Sequence, residues 1–417
     1  MKKKTVLPNG IKLITEYMPE AYSATVMVWA AAGPDIENEK NNGISHFIEH
    51  LLFKGTETRN PKQIVEAVEN RGGSINAFTD KDFTCYYAKV LKEESAVTVD
   101  VLLDMVFNSK LDKNDIEIER KVILEEIKMY EDAPDELVYD LFLKSYWNDH
   151  PLGQPITGTL KSVSKITRDD ILEFMGQNYT PDNILISVAG NFDENQILDA
   201  INEKTFHLKS TGQKHVLTCP NISPKINFTK KDIEQAHICI GSKAVSLFDD
   251  SRYILALMDI CLGGGMASRL FQEIREKRGL VYSINTYEAL YRQTGVFGAY
   301  AATNPENADE VIKLVIEEFN KLKVDGLIED ELEKAKSQIK GNLLIGLEST
   351  KFRASRNARS ELYFNRDFDI QEICSMIENV TDKDVIDLAN QVLDPKNMAI
   401  TVVGPKKTVF NKTSLPC

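Results

Sequence analysis

The sequence has no long hydrophobic run and few cysteines, and both shortages exclude whole classes of protein. No stretch of its 417 residues approaches the roughly 18 uncharged apolar positions of a membrane-spanning helix, so none is expected. The six cysteines, at positions 85, 219, 239, 261, 374 and 417, form no CxxC pair. Neither a disulfide framework nor a cysteine-ligated metal site is therefore expected, and most of the thiols should be small buried core residues.

Positively charged residues are also few relative to negatively charged ones. The sequence has 50 Lys and Arg and 63 Asp and Glu, which gives a formal net charge of −13. An acidic protein is poorly suited to nucleic acid or to an anionic membrane surface, so neither is expected as a partner. The N-terminal Met1-Lys2-Lys3-Lys4 is basic, like the start of a signal peptide. However, Pro8-Asn9-Gly10 interrupts the apolar run that such a peptide requires. We therefore expect a cytoplasmic protein.

An internal repeat divides the chain. The segments 167–190 and 381–404 keep Thr, Asp, Pro, Asn and Gly at matching offsets, a pattern typical of an N-capped helix, a proline turn and an apolar strand ending at glycine. Weaker echoes pair 101–111 with 311–322, and Arg71-Gly72-Gly73 with Arg278-Gly279. We expect an α+β fold of two duplicated domains, 1–206 and 229–417, joined by an irregular linker at 207–228.

A cluster of chemistry-bearing residues lies in His46-Phe47-Ile48-Glu49-His50. The apolar run 44–53 favours a helix, and Gly55 is a natural stop after it. Residues four apart on a helix point to the same side, so the two imidazoles can bind one Zn²⁺. Glu49 flanks the same face and can reach a water molecule there without being a ligand. This order reverses the HExxH motif of zinc peptidases.

Zinc needs a third protein ligand, and spacing alone does not identify it. The other histidines, at 150, 207, 215 and 237, have no persuasive ligand context. The acidic helix predicted at 114–131 offers four glutamates as candidates: Glu117, Glu119, Glu125 and Glu126. Such a run is more often an ordinary solvated helix face, and its periodicity leaves all four open.

The segments 46–56 and 120–126 resemble the motifs of the pitrilysin family of inverted zincins, and most closely those of the mitochondrial processing peptidase β-subunit and its bacterial homologues. The likeness extends from Leu7-Pro8-Asn9-Gly10 to Gly404. It implies that Glu126 is the third ligand, with Glu125 as the fallback, and that Glu119 supports the site as a neighbouring catalytic residue. It also implies one Zn²⁺ per chain, and two mostly antiparallel sheets with helices on one face, forming half of a clamshell.

The same resemblance implies where substrate binds. The stretch 71–79 is similar to the family's active-site edge strand, so Ser74, Asn76, Ala77 and Phe78 are expected to bind an extended peptide by strand addition. An Arg–Tyr pair of the family corresponds to Arg275 and Tyr282, whose donors suit a developing oxyanion. The glycine-rich run 263–266 is interpreted as a flexible turn, since it lacks the Gly-Lys-Ser/Thr of a phosphate loop.

The activity implied is that of a zinc-dependent endopeptidase cleaving extended peptides or unfolded precursor segments inside a closed chamber. Glu49 is expected to act as the general base. In relatives of double length the Arg–Tyr pair comes from the last quarter of the chain, so a homodimer with a composite active site is expected. Two alternatives stay open: a catalytic subunit that requires a different partner chain, and a non-peptidase homologue of the respiratory core proteins.

Overall fold

A computed structural model of the protein describes residues 2–148, 150–210 and 215–408, so Cys417 and part of the predicted linker lie outside the described residues. The strands are β1 (Lys2–Val6), β2 (Lys12–Tyr17), β3 (Ser23–Ala30), β4 (Ser74–Asp80), β5 (Phe83–Leu91), β6 (Ile184–Gly190), β7 (Ile226–Lys230), β8 (Ala236–Ala244), β9 (Val281–Leu290), β10 (Gly295–Thr303) and β11 (Ala399–Gly404). The α-helices are α1 (Ile44–Leu51), α2 (Pro61–Glu69), α3 (Ser95–Asn108), α4 (Lys113–Asp132), α5 (Pro134–Trp147), α6 (Leu160–Val163), α7 (Arg168–Asn178), α8 (Glu194–Thr205), α9 (Arg252–Leu262), α10 (Ala308–Asp325), α11 (Glu331–Gly346), α12 (Thr350–Arg359), α13 (Ile370–Glu378) and α14 (Asp382–Val392).

The first compact unit comprises Met1–Lys128, Gln154–Leu217 and Leu344–Asp367. Its six-stranded sheet has the order β1-β2-β6-β3-β5-β4, in which β2 and β6 pair in parallel and the other neighbours are antiparallel. One large apolar core fills the space between this sheet and helices that include α1, α3 and α8. Strand β4 forms one edge of the sheet.

The second compact unit comprises Met129–Gly153, Thr218–Leu343 and Phe368–Cys417. Its sheet has the order β7-β11-β8-β10-β9, with β7 and β11 parallel and the rest antiparallel. Helices α9, α10 and α14 supply much of its main core. Strand β9 lies at the edge that corresponds to β4 in the first unit, so the two sheets repeat one arrangement.

The repeat predicted from the sequence is confirmed in detail. Thr167 and Thr381 each form a capping box, the first at α7 and the second at α14. A short 3₁₀ turn beginning at a proline follows each helix, and then comes a fully buried strand, β6 or β11. The local rules for caps, proline turns and apolar strands therefore determine the same element in both units.

The predicted α+β fold of two mostly antiparallel sheets with helices is confirmed, but each sheet also carries a helix on its second face. Helix α12 packs its Ala354 and Ala358 against Trp29 and Met27 of the first sheet. In the second unit, helix α5 packs its Phe142 against Cys239 and Val296 of the sheet. The reason is that the central strands bury side chains on both faces, as the uninterrupted burial of β3 after its first residue shows.

Each of these two helices belongs to a unit that is not continuous in the chain. The passage from Leu217 to Thr218 lies within the linker predicted at 207–228. In addition, Met129–Gly153 belongs to the second unit and Leu344–Asp367 belongs to the first. Among the described residues, no helix has the length and apolar character needed to cross a membrane. The cysteines at 85, 219, 239, 261 and 374 are all free thiols.

Candidate metal centre

Helix α1 presents both histidines of the motif to one side. Its apolar residues Ile44, Phe47, Ile48 and Leu51 are buried in the core of the first unit, which fixes the rotation of the helix. The rings of His46 and His50 lie one turn apart, with their centroids 4.7 Å from each other. His46 is buried, and the side chain of His50 is 23% exposed, so solvent reaches the pair at His50.

Helix α4 brings a carboxylate to the two imidazoles. Its buried residues Ile123 and Ile127 face the core and turn Glu126 toward α1. Glu126 Oε2 lies 3.8 Å from His46 Nε2 and 3.5 Å from His50 Nε2. Among the described residues these three form the one group of His, Cys, Asp and Glu side chains able to bind a metal ion together, with ligand atoms within 4.8 Å of one another.

The spacing of the three ligand atoms fits a tetrahedral ion. Ligand atoms held about 2.1 Å from one such ion are about 3.4 Å apart, close to the two separations from Glu126. Two imidazoles and one carboxylate are a donor set of catalytic zinc sites, which keep a fourth position for water or substrate. The arrangement therefore suits a catalytic rather than a closed structural metal site.

A second glutamate of α4 orients His50. The buried Glu119 places Oε2 3.2 Å from His50 Nδ1, and its Oε1 lies 2.6 Å from Lys54 Nζ. A histidine that donates from Nδ1 to a carboxylate presents Nε2 as an acceptor, the form that binds metal. Burial, and then the neighbouring His50, lower the pKa of His46 to about 3, so the His46 ring is neutral and available as a ligand near pH 7.

Glu49 lies beside the cluster without joining it. Its Oε2 accepts a hydrogen bond of 2.5 Å from Thr79 Oγ1, on the edge strand β4. Burial raises the pKa of the Glu49 carboxyl, while the Thr79 hydrogen bond and the charge of His50 act in the opposite direction. A half-buried carboxylate fixed in this way is suited to exchange a proton with a group bound at the metal position.

The structure separates the glutamates that the sequence left open. Glu125 is 74% exposed and pairs with Lys128 on the solvent side of α4, and Glu117 is 62% exposed and pairs with Arg120. Neither belongs to the cluster that contains Glu126. The roles of Thr79 and Lys54 were not anticipated. Lys54 follows His50 by four residues, but no sequence pattern indicates that it contacts Glu119.

The four residues of the first unit that are expected to bind substrate all lie on β4, but their side chains have different surroundings. Ser74 and Asn76 are exposed on edge strand β4, and Ala77 is half-buried beside them. The Phe78 ring instead packs edge-to-face against Trp29, so its side chain belongs to the second face of the sheet.

The Arg–Tyr pair lies in the second unit. The guanidinium of Arg275 stacks on the ring of Phe271, 4.6 Å from its centroid. Tyr282 is 77% exposed on edge strand β9.

Comparison with known proteins gives family and fold. Residues 12–160 match the family model "Insulinase (Peptidase family M16)", and residues 165–339 match "Peptidase M16 inactive domain". An uncharacterized zinc protease of Bacillus subtilis is 39% identical over 97% of this chain and 98% of its own. Another of Streptomyces coelicolor is 36% identical over 97% and 90%.

The fold has also been solved elsewhere. The crystal structure of a protease from Helicobacter pylori superposes with a TM-score of 0.91 over 97% of this chain and 99% of that one, at 22% identity. The two family models together span most of the chain, and the sequence relatives match it almost end to end. The chain therefore belongs to peptidase family M16, the insulinase family.

Proposed function

We propose that this protein is a zinc-dependent endopeptidase that hydrolyses extended peptides or unfolded precursor segments. The observation that carries the proposal is the convergence of His46, His50 and Glu126, with the carboxylate of Glu49 beside them. The zinc protease relatives, which align over almost the whole chain, support zinc as the metal.

Each residue of the site has a defined task in peptide hydrolysis. His46, His50 and Glu126 would hold the zinc ion, which when bound would supply Lewis-acid chemistry for the scissile carbonyl and lower the pKa of water toward about 7. Glu49 Oε2, oriented by Thr79, accepts a proton from the attacking water and passes it to the nitrogen of the leaving amine. Glu119 keeps the His50 ring in its ligating orientation.

The edge strand β4 is the proposed docking site for substrate. It pairs with β5 on one side, and no strand covers its other side among the described residues. An extended peptide can therefore add as a further antiparallel or parallel strand, mostly through backbone bonds. The Asn76 carboxamide accepts a 2.8 Å hydrogen bond from the Ala77 amide, which an added strand would have to displace. Recognition through backbone groups predicts a modest sequence preference.

Digestion of peptides tests this function. We expect cleavage of unstructured peptides of mixed sequence, complete loss of cleavage after treatment with a chelator, and recovery on addition of Zn²⁺. Mass spectrometry of the products gives the cleavage sites. We propose in addition that the active protein encloses its substrate in a chamber. A compact, disulfide-bonded protein should then resist cleavage, because only an unfolded segment could enter and pair with β4. Rapid internal cleavage of that folded protein would contradict the chamber, and chelator-resistant cleavage would contradict the metal mechanism.

We further propose a homodimer in which Arg275 and Tyr282 of one chain complete the site of the other. The exposed phenol of Tyr282 and the guanidinium of Arg275 are suited to stabilise an oxyanion. A mixture of inactive Glu49→Gln and Tyr282→Phe chains should regain about one quarter of wild-type activity after subunit exchange, since half of random dimers are mixed and each carries one intact site.

Two results would contradict this composite site. Verified exchange without recovery of activity would exclude the shared arrangement, and an active Tyr282→Phe chain would show that its hydroxyl is dispensable. The mass of the active species separates a homodimer from a catalytic subunit that needs a different chain. If the protein were instead a structural homologue of the respiratory core proteins, it would cleave no peptide, either as a homodimer or together with a different chain.

A further inference from the structure

A buried carboxylate outside the metal cluster, that of Glu37, contacts the start of the metal-binding helix α1. Glu37 follows the 3₁₀ turn Pro34–Ile36 and is 4% exposed. Its Oε2 accepts a hydrogen bond of 2.7 Å from the Gly43 amide, and its Oε1 accepts one of 2.9 Å from the Ser45 amide. The Asn42 side chain donates a third, at 3.2 Å. Both oxygens of the Glu37 side chain thus accept hydrogen bonds from donors at the start of the helix, where backbone amides have no intrahelical partner.

Helix α1 depends on this outside group for its cap. Gly43 occupies the N-cap position with a φ of 93°, and glycine has no side chain to accept a hydrogen bond from the first turn. The helix has only eight residues, so tertiary contacts rather than helix propensity determine its position. Space at its start is limited, since a Cβ on Gly43 would lie 2.8 Å from the Thr157 carbonyl oxygen.

The two histidines differ in how their rings are held. His50 is fixed from outside the helix, because its Nδ1 lies 3.2 Å from Glu119 Oε2. The buried Nδ1 of His46 has no hydrogen-bond partner among the described residues. The position of His46 therefore depends on the placement of the first helical turn, and the amides of Gly43 and Ser45 are the points at which Glu37 holds that turn.

The segment that carries Glu37 also contacts the hairpin that orients the base. The Asp35 amide donates to the Lys81 carbonyl at 2.7 Å, between β4 and β5. A Cβ on Gly33 would lie 2.6 Å from the same oxygen, so only glycine allows this approach. Strand β4 ends beside Lys81 and carries Thr79, the partner of Glu49. Residues 33–37 therefore contact both the start of the metal-binding helix and the hairpin that carries Thr79, the hydrogen-bond partner of Glu49.

We propose that Glu37 is a positioning residue, which sets His46 relative to His50 and Glu126 by capping α1 through the Gly43 and Ser45 amides. This inference rests on the metal centre proposed above. Glutamine at position 37 has the same shape but offers one acceptor oxygen and an NH₂ donor. One of the two amides would then face a donor and lose its partner, so the first turn would shift or fray.

The zinc dissociation constant of the purified full-length protein, measured by competition with a chromophoric chelator, tests this role. Glu37→Gln should raise that constant about tenfold or more, comparable to the loss of a residue that orients a metal ligand. It should also alter the visible spectrum of the Co²⁺-loaded protein, which reports ligand geometry. The matched control is Glu39→Gln, because it makes the same substitution two positions away on a side chain that is 88% exposed. This control should bind zinc like the wild type.

The outcomes separate this inference from the proposed function. Equal zinc affinity in the Glu37→Gln and Glu39→Gln proteins would overturn the positioning role, even if Glu37→Gln lowers the thermal midpoint. If Glu37→Gln does not fold, Glu37→Asp keeps the carboxyl group but is one methylene shorter and cannot bridge both amides. Its zinc affinity should also fall, and a wild-type value would overturn the proposal. A wild-type protein that binds no zinc would instead refute the metal centre itself, and this role with it.

Discussion

Replacement of Glu49 by Gln is expected to abolish peptide hydrolysis while leaving zinc affinity at the wild-type value. Glu49 is not among the three clustered ligands, so the substitution removes no donor from the metal. Glutamine can still accept the hydrogen bond from Thr79 Oγ1 through its carbonyl oxygen, which preserves the local geometry. It cannot accept a proton from water. Loss of general-base catalysis should lower kcat by about 10²–10⁴-fold, with a smaller effect on KM because strand addition at β4 is unchanged.

The measurement pairs metal analysis with the rate of peptide cleavage. Glu66→Gln is a suitable control, since Glu66 is 42% exposed on α2 and carries the same functional group. A fully zinc-loaded Glu49→Gln protein that cleaves at the wild-type rate would show that another group is the base. Loss of zinc together with activity would instead mean that Glu49 contributes to the metal site, against the geometry of the cluster.

The features that the sequence predicted well are those governed by local rules. The N-caps of the helices that follow Thr167 and Thr381, the proline turns and the apolar strands depend on residues within a few positions of each other. The alignment of His46 with His50 follows from helix periodicity in the same way. Such features need no knowledge of the tertiary fold, and the structure contains them at the predicted positions.

The features that the sequence did not predict depend on contacts between distant segments. The sequence of α12 does not indicate that this helix covers the second face of the first sheet, because only the finished sheet displays the apolar surface around Trp29. Glu37 looks like one more acidic residue in a polar loop, since its partners are backbone amides that carry no sequence signal. Charge and periodicity likewise could not choose between Glu125 and Glu126, which depends on how α4 is rotated against α1.

Substitution of Glu126 by Gln is expected to weaken zinc binding far more than the same substitution at Glu125. Glu126 Oε2 is within 3.8 Å of both ligating nitrogens, and an amide oxygen is a much poorer zinc donor than a carboxylate. The loss of zinc affinity should be larger than the loss of about 10–100-fold that follows removal of a residue that orients a metal ligand. Without the carboxylate, His46 and His50 remain as a two-ligand site that exchanges zinc readily. Peptidase activity at limiting zinc should therefore disappear.

Glu125→Gln is the matched control, because it makes the identical change one position earlier on the same helix. Glu125 is 74% exposed and pairs with Lys128 at 2.7 Å, a surface interaction of small energetic value. Neighbouring residues on a helix point about 100° apart, so only one of the two glutamates can face α1. Chelator competition on both proteins measures the difference directly. The reverse order of affinities would mean that Glu125 is the ligand. It would require α4 to be rotated by about 100°, which would also move Glu119 away from His50.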